Sequence, residues 1–355
     1  MKQVLQDFKE RVIVSSADRT ALRLRGGGSK DWYGQALNGE VFDTRPYAGI
    51  IAYEPTELVI TARCGTPLLD IEATLAQQNQ MLAFEPPHFG AGATVGGMLA
   101  AGLSGPRRQA VGALRDFVLG AVLMDGKGEV LRFGGQVMKN VAGYDVSRLL
   151  AGSLGTLGLI LEASLKVLPK PYAETTLRLV MNEEKAIRCL NQWGGQPLPI
   201  SASAWHDGLL LVRLSGARAA LQAAQQKIGG DVVSDPNRFW IALREQSNAF
   251  FTGDNGASSL WRLSLPSTTP PIALPGEQLI EWGGAQRWLR SDADAAAIRA
   301  AAQQAGGHAT LFRGADKTAG VFQPLAPAIA AIHRNLKNAF DPSGIFNPGR
   351  MYQAL

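Results

Sequence analysis

The sequence predicts an α+β protein of two domains, and three observations support that prediction. The chain has 355 residues, 46% of them hydrophobic and 18% charged, which is typical of a globular protein large enough for two cores. Short strand-forming runs and helical patterns follow one another along its length. Pro169-Lys170-Pro171 interrupts them, and such proline pairs disfavour both kinds of element. We therefore predict domains over 1–171 and 172–325, with a terminal segment over 326–355.

The first domain is predicted to begin with an amphipathic helix over 3–12. Strand patterns follow at 22–25, 41–43, 49–53, 57–62 and, near the end of the domain, 159–168. Thr66 as N-cap and Pro67 at the first helical position predict a helix that runs through Gln80. Asp125-Gly126-Lys127-Gly128 separates two apolar runs and predicts a hairpin turn.

The second domain is predicted to be a compact α+β unit. Its patterns indicate strands at 177–181, 230–234, 260–265 and 279–282, a hairpin around Asp207-Gly208, and helices at 183–193, 217–228, 239–246 and 292–305. A last helix over 326–339 precedes Asp341-Pro342-Ser343-Gly344-Ile345-Phe346-Asn347-Pro348-Gly349-Arg350. That stretch contains too many proline, glycine, aspartate and asparagine residues to be a frayed end.

Three glycine-rich segments are the strongest functional signal in the chain. They are Arg25-Gly26-Gly27-Gly28-Ser29, Gly92-Ala93-Thr94-Val95-Gly96-Gly97 and Gly152-Ser153-Leu154-Gly155-Thr156-Leu157-Gly158. Glycine lets a backbone approach a phosphate closely and aim its N–H groups at the anion. None of the segments has the spacing of a P-loop or of a Rossmann fingerprint. Three loops spread over more than a hundred residues favour a long phosphate-bearing ligand lying across several strand ends.

Composition excludes several classes of protein. The start of the chain lacks the apolar region of a signal peptide, and the longest apolar run is far too short for a membrane helix. Cys64 and Cys189 are the only cysteines, which argues against a disulfide framework and against an iron–sulfur cluster. The net charge of +5 is spread without a basic tract, so we expect no nucleic-acid partner. We expect a cytoplasmic protein, or one held at a membrane by a partner subunit.

The glycine segments belong to a wider set of motifs that resembles a known flavoprotein family. Together with Lys139-Asn140-Val141-Ala142-Gly143-Tyr144-Asp145 and the terminal Asn347-Pro348-Gly349-Arg350, they resemble the vanillyl-alcohol-oxidase (PCMH) type of FAD-binding fold. More narrowly, Phe84-Glu85-Pro86-Pro87-His88, Ala101–Arg108, Arg132–Gly135 and Pro275–Ile280 are similar to the FAD-binding subunits of bacterial glycolate oxidase (glycolate dehydrogenase). The likeness runs from about residue 20 to the last residue. It implies a two-subdomain FAD-binding domain followed by a small α+β cap, with the terminal segment returning to the FAD domain.

The resemblance also assigns residues to the cofactor. Those expected to bind FAD are Arg25, Gly26, Gly27, Gly28, Ser29, Gly92, Ala93, Thr94, Gly96, Gly97, Gly102, Gly152, Ser153, Gly155, Gly158, Ile160, Asn347 and Arg350. The first two glycine segments would hold the pyrophosphate, and the third would line the adenosine and flavin edges. Asn347 and Arg350 would approach the flavin, where a cation stabilises the reduced anionic form.

The chain departs from its relatives at two kinds of position. Some relatives carry a histidine that links covalently to the flavin, but Ser29 and Lys30 stand in that region, so we predict non-covalent FAD. Relatives acting on D-2-hydroxy acids carry a His-x-His metal pair in the cap, whereas the four histidines here are isolated, so we predict no metal site. His88 and Arg107 are the candidate catalytic residues, with a backbone-bonded loop histidine and a structural ion pair as their alternative interpretations. Lys139 is a candidate for contact with the flavin or with a partner.

Three functional hypotheses follow from the resemblance. In the first, the chain is the FAD-binding subunit of a complex that oxidises glycolate, and also D-lactate, to the 2-oxo acid. Its partners would be a related FAD-containing catalytic subunit and an iron–sulfur subunit, which would hold it peripherally at the inner membrane. In the second, it is a self-sufficient 2-hydroxy-acid oxidoreductase or an NADPH-dependent flavin reductase. In the third, it is a flavin-binding scaffold without a redox role.

Overall fold

The structure, a computed structural model, describes residues 1–135, 145–253, 258–353 and 355. The chain divides into two compact units. The first unit comprises Met1–Leu103, Ala113–Pro169 and Pro324–Leu355, and the second comprises Ser104–Gly112 and Lys170–Gln323. The short segment Ser104–Gly112 differs from the prediction, because it packs with the second unit although its sequence position placed it inside the first domain.

Helices and short strands alternate along the described residues. The helices are α1 (Lys2–Asp18), α2 (Leu68–Ala76), α3 (Val95–Ala101), α4 (Arg108–Val111), α5 (Val146–Leu149), α6 (Glu183–Gly194), α7 (Arg218–Ile228), α8 (Asn237–Arg244), α9 (Ala249–Thr252), α10 (Ala295–Gln304) and α11 (Pro327–Phe340). The strands are β1 (Leu22–Arg25), β2 (Glu40–Asp43), β3 (Ile50–Glu54), β4 (Val59–Arg63), β5 (Gln80–Met81), β6 (Val118–Met124), β7 (Val130–Gly134), β8 (Leu159–Lys166), β9 (Leu168–Pro169), β10 (Ala173–Val180), β11 (Ile200–His206), β12 (Leu209–Gly216), β13 (Asp231–Val232), β14 (Leu260–Ser264), β15 (Glu277–Glu281), β16 (Gln286–Arg290) and β17 (His308–Arg313).

The first unit contains a five-stranded antiparallel sheet with the strand order β3-β4-β8-β6-β7. Its β6–β7 connection is the hairpin predicted at Asp125–Gly128. The Asp125 Oδ1 atom accepts the amides of Lys127 at 2.9 Å and Glu129 at 2.8 Å, and Gly128 has a positive φ of 76°. An aspartate that accepts the backbone amide two residues on, followed by a glycine with a positive φ, forms a tight turn. These few residues specify the turn without help from distant parts of the chain.

A two-stranded parallel sheet, β1-β2, forms the smaller part of the first unit. Helix α1 covers it through Phe8 and Val12, which are buried beside Phe42. The same cluster contains Met124 and Leu161 of the larger sheet, so the two parts share one core. This arrangement agrees with the two-subdomain FAD-binding fold that the resemblance implied.

Helix α2 begins differently from its prediction. It starts at Leu68 with Pro67 in the N-cap position and ends at Ala76. Thr66 does not cap it, because its hydroxyl accepts the amide of Gly49 at 2.9 Å and donates to the Gly49 carbonyl at 3.2 Å. The Thr66 hydroxyl, which the local pattern assigned to the helix N-cap, therefore bonds to Gly49, 17 residues away. Gln80, the predicted last helical residue, lies in strand β5 instead.

The second unit is built on an eight-stranded antiparallel sheet with the order β13-β10-β12-β11-β15-β16-β14-β17. Helices α6 and α7 cover one buried cluster, which includes Leu190, Leu214 and Leu221. Helix α10 covers another around Ile298. Strands β16 and β17 were not predicted. The sheet with helices is the α+β cap that the sequence led us to expect.

Candidate functional site

One cleft in the first unit brings the glycine segments together. It encloses about 810 Å³ of empty space, including its open mouth. Thirteen of the residues predicted to bind FAD line it, namely Arg25, Gly26, Gly27, Gly28, Ser29, Thr94, Gly96, Gly97, Gly155, Gly158, Ile160, Asn347 and Arg350. Segments that are far apart in the chain thus form one concave site, which is the arrangement expected for a long ligand.

The first glycine segment is built to receive an anion. Among the described residues, the backbone N–H groups of Gly26, Gly27, Gly28 and Ser29 donate to no protein acceptor. Gly28 has a positive φ of 74°, which turns the chain soon after strand β1. Successive N–H groups left available at such a turn form a concave donor array that suits phosphate oxygens.

The first two glycine segments approach each other more closely than side chains would allow. A Cβ atom on Gly27 would lie 1.4 Å from the carbonyl oxygen of Gly92, and one on Gly26 would lie 2.2 Å from the Thr94 hydroxyl. Thr94 is the N-cap of helix α3, and its hydroxyl accepts the amide of Gly97 at 3.3 Å. The glycines are therefore required for packing between the two segments as well as for access to the cleft.

The charged residues of the cleft are held in place by hydrogen bonds and one carboxylate. The Oδ2 atom of Asp31 accepts the Arg25 Nε group at 2.8 Å and also pairs with Arg23. Lys30 donates to the backbone oxygen of His88 at 3.1 Å. Among the described residues that line the cleft, Asp31 is the only carboxylate. Arg25, Lys30 and Arg350 leave this lining net positive, which favours a polyanionic ligand.

The terminal segment closes one side of the cleft. The side chain of Asn347 accepts the Leu24 amide at 2.8 Å and donates to the Leu154 carbonyl at 2.7 Å. Arg350 is 6% exposed, and its guanidinium donates to backbone carbonyls of Asp31 at 2.7 Å, Tyr33 and Gln35. Burial lowers the pKa of Arg350 to about 10.

The five remaining predicted cofactor residues do not line the cleft. They are Gly92, Ala93, Gly102, Gly152 and Ser153. A Cβ on Gly102 would lie 2.7 Å from the Cα atom of Gly152, and the Gly152 amide donates to the Leu99 carbonyl at 3.0 Å. These two glycines let helix α3 pack against the third segment. The assignment of these five residues to the cofactor stays a prediction, as does that of the thirteen residues in the lining.

The candidate catalytic residues have structural partners. His88 is 7% exposed, its ring Nε2 atom lies 3.1 Å from the Glu72 carboxylate, and it is not part of the cleft lining. Arg107 belongs to the second unit, where it donates to Glu174 at 2.6 Å and to Ser215 at 3.2 Å. These contacts favour a structural role for both residues. Lys139 lies outside the described residues.

Sequence reasoning missed eleven residues of the lining. They are Leu24, Lys30, Asp31, Tyr33, Leu37, Thr44, Cys64, Ala100, Ala101, Leu154 and Leu159. Thr44 could have been found, because it follows strand β2 as the first glycine segment follows β1, and its amide donates to the Arg25 carbonyl at 2.9 Å. The carboxyl ends of parallel strands meet at one edge of a sheet. Cys64 carried no local signal.

Cys64 makes the stability of this site sensitive to alkaline pH. Burial raises the pKa of its thiol from the ordinary value of 9.0 to about 12. The unfolded chain therefore loses this proton first, so the stability that depends on the buried thiol is complete below pH 9 and is lost between pH 9 and 12. By about pH 10 the loss should be about 1.4 kcal/mol, roughly one pH unit above the unfolded value. Urea unfolding from about pH 7 to about pH 10 should show this decline in the wild type, and Cys64→Ala should remove it.

The residues that line the cleft fit FAD. Four available amides and a positive lining suit the pyrophosphate, and the apolar residues Leu154, Leu159 and Ile160 suit the flat faces of ring systems. Among the described residues, no group of three or more histidine, cysteine or acidic side chains is arranged to hold a metal ion. No helix in the described ranges is both long and apolar enough to cross a membrane.

Comparison with known proteins identifies the family. A family model described as an FAD binding domain matches residues 5–134, and one described as the C-terminal domain of FAD linked oxidases matches residues 313–351. The glycolate oxidase subunit GlcE of Escherichia coli is 49% identical over 350 residues, which cover 99% of this chain and 98% of that protein. The chain belongs to the GlcE family of FAD-linked oxidases. The family assignment confirms FAD as the cofactor and an FAD-dependent oxidoreductase as the class of enzyme.

Three further likenesses are partial or more distant. The glycolate oxidase subunit GlcD of Bacillus subtilis is 36% identical over 128 residues, 36% of this chain and 27% of that protein. The D-lactate dehydrogenase of Archaeoglobus fulgidus is 33% identical over 187 residues, 50% of this chain and 40% of that protein. Among solved structures, an alkyldihydroxyacetonephosphate synthase superposes with a TM-score of 0.66 at 15% identity and covers 96% of this chain and 74% of the other. At that identity the superposition confirms the fold alone.

Proposed function

We propose that the chain is the FAD-binding subunit of a complex that oxidises glycolate, and also D-lactate, to the corresponding 2-oxo acid. The observation that carries the proposal is likeness to the glycolate oxidase subunit GlcE over almost the whole of both chains. When bound to this chain, FAD supplies a group that can accept and pass on electrons taken from the hydroxy acid. The partial likenesses to GlcD and to D-lactate dehydrogenase support the same class of substrate.

The composition of the cleft supports a shared rather than an autonomous reaction. Oxidation of a 2-hydroxy acid needs a base for the hydroxyl proton. Within the described lining, Asp31 is engaged by two arginines, and burial raises the pKa of the Cys64 thiol far above neutral pH. We therefore assign the substrate chemistry to a related FAD-containing subunit. The role of this chain is then to bind flavin and either to relay electrons or to shape the active site within the complex.

The same proposal names the remaining partners and the location. The two cysteines of this chain cannot supply the ligands of an iron–sulfur cluster, so a separate iron–sulfur subunit would take the electrons onward. That subunit would hold the complex peripherally at the inner membrane, with this chain on the cytoplasmic side. A self-sufficient oxidoreductase or an NADPH-dependent reductase is less well supported, because the full-length likeness is to a protein described as a subunit.

Anaerobic reduction of the isolated, FAD-loaded chain tests the proposal. We expect glycolate or D-lactate to leave its long-wavelength flavin absorbance unchanged, while dithionite bleaches it. Addition of the related flavin subunit should make bleaching dependent on glycolate. Acid precipitation of the same sample should release the flavin into the supernatant, as non-covalent binding requires. Rapid bleaching of the isolated chain by either acid would show an autonomous enzyme and overturn the assignment.

A further inference from the structure

The residues after helix α11 contact the chain immediately before the first glycine segment. The Asn347 amide donates to the Leu22 carbonyl at 2.9 Å, and its side-chain oxygen accepts the Leu24 amide at 2.8 Å. Asn347 thereby bonds to the edge of strand β1, beside the parallel bridge between Leu22 and Phe346. The last residue of β1 leads into Gly26. The entry to the segment is fixed by a residue 323 positions away from Leu24.

Arg350 contacts the chain immediately after the same segment. Its guanidinium donates to the carbonyls of Asp31, Tyr33 and Gln35, and the Gln35 amide donates back to the Arg350 carbonyl at 2.9 Å. A guanidinium has five N–H groups in a rigid plane, and three of its bonds here go to backbone. Each of the three acceptors lies on the stretch that leaves the glycine segment.

The available amides of Gly26–Ser29 thus lie between two fixed points. Glycine loses more conformational freedom on ordering than any other residue, so an unrestrained run of three would have to be ordered by the ligand itself. Restraint before binding removes that cost from the binding step and raises affinity. Asn347 also donates to the Leu154 carbonyl at 2.7 Å, which fixes the third glycine segment relative to the first.

We infer that Asn347 and Arg350 are positioning residues that hold the pyrophosphate-binding segment in its anion-binding shape and raise cofactor affinity through the protein backbone. This differs from the expectation that Arg350 acts as the cation beside the flavin ring. The inference rests on FAD as the ligand of this cleft and on no assumption about the substrate.

Binding of two ligands to Arg350→Met tests the inference. FAD carries both the pyrophosphate and the flavin, whereas ADP carries the pyrophosphate and adenosine alone. Loss of the charged hydrogen bonds should weaken both ligands by a similar factor, about 10- to 100-fold. The absorption spectrum and the reduction potential of the flavin that remains bound should match those of the wild type. Fluorescence titration gives the two affinities.

Three further variants complete the test. Arg350→Lys keeps the charge but cannot bridge three carbonyls, so it should weaken FAD and ADP almost as much as the methionine variant. Asn347→Ala removes both the acceptor for Leu24 and the donor to Leu154, so it should weaken FAD and ADP by a common factor. Arg334→Met removes an exposed arginine of α11 and should retain wild-type affinities.

Two outcomes would overturn the inference. If Arg350→Met weakened FAD but bound ADP like the wild type, Arg350 would act on the flavin ring directly. A shifted reduction potential of the bound flavin would indicate the same. Should Arg350→Met fail to fold, Arg350→Lys and the Asn347 variant test the inference through the same comparison of FAD affinity with ADP affinity. A wild-type complex that failed to oxidise glycolate would count against the proposed function and would leave the ratio of the two affinities unaffected.

Discussion

Lys337→Met is expected to lower the free energy of unfolding by about 3–5 kcal/mol, the usual cost of removing one partner from a buried ion pair. The Lys337 ammonium donates to Asp341 at 2.7 Å, to the Thr156 carbonyl at 2.8 Å and to the Phe346 carbonyl at 2.7 Å. The Asp341 side chain is fully buried and would remain without its cation. Burial lowers the pKa of Lys337, and the nearby carboxylate opposes that shift. Urea unfolding at neutral pH measures the loss.

The effect should reach the cofactor cleft as well. Asp341 also accepts the amides of Ile345 at 3.1 Å and Phe346 at 2.8 Å, and so shapes the turn that places Asn347 beside strand β1.

The control for the unfolding measurement is Lys185→Met, which removes an exposed lysine from α6 and should change stability by no more than about 0.5 kcal/mol. A loss below about 1 kcal/mol in Lys337→Met would mean that the buried pair contributes little.

Gly27→Ala is expected to abolish FAD retention during purification and to weaken FAD binding by about 100-fold, since overpacking commonly costs about 1–3 kcal/mol and about 1.4 kcal/mol is tenfold in affinity. The new methyl group would lie 1.4 Å from the Gly92 carbonyl oxygen, so the first two glycine segments would have to separate. That oxygen belongs to backbone and cannot rotate away. The flavin absorbance per protein and a fluorescence titration measure the loss.

The choice of glycine matters for this experiment. A Cβ on Gly96 would first meet the Cβ of Cys64 at 2.8 Å, so a substitution there would also disturb the core. Gly194→Ala is a suitable control, because nothing lies within 4 Å of its added methyl group. Full flavin content in a folded Gly27→Ala protein would contradict the role given to the close approach of the two segments.

The second glycine segment shows where local patterns were insufficient. The sequence predicted a loop at Gly92–Gly97, yet helix α3 begins inside it at Val95. Glycine is among the poorest helix formers, so propensity argued against a helix. The Thr94 cap and the burial of Val95, Met98 and Leu99 stabilise it instead. By contrast, the Asp125–Gly128 hairpin was predicted correctly, because it depends on a side chain bonding to backbone nearby.

Other features depended on contacts between residues far apart in the chain. Ser104–Gly112 packs with the second unit through the Arg107–Glu174 pair, whose members are 67 residues apart. Strand β16 carries Arg287, which is completely buried because its guanidinium donates to the carbonyls of Pro270 at 2.8 Å and Thr269. A charged residue in a strand-forming run is ordinarily expected to be exposed. The meeting of the three glycine segments in one cleft was easier to predict, because glycine motifs combine into a recognisable set even when no single motif is specific.

The position of the two positioning residues has a consequence for how the protein acquires its cofactor. Roughly 320 residues separate the first glycine segment from Asn347 and Arg350, and at ~5–20 residues per second their synthesis takes on the order of 15–65 s. Throughout that interval the nascent loop exists without the partners that order it. We therefore expect tight FAD binding only after the terminal segment has been synthesised, and not when the first glycine segment emerges.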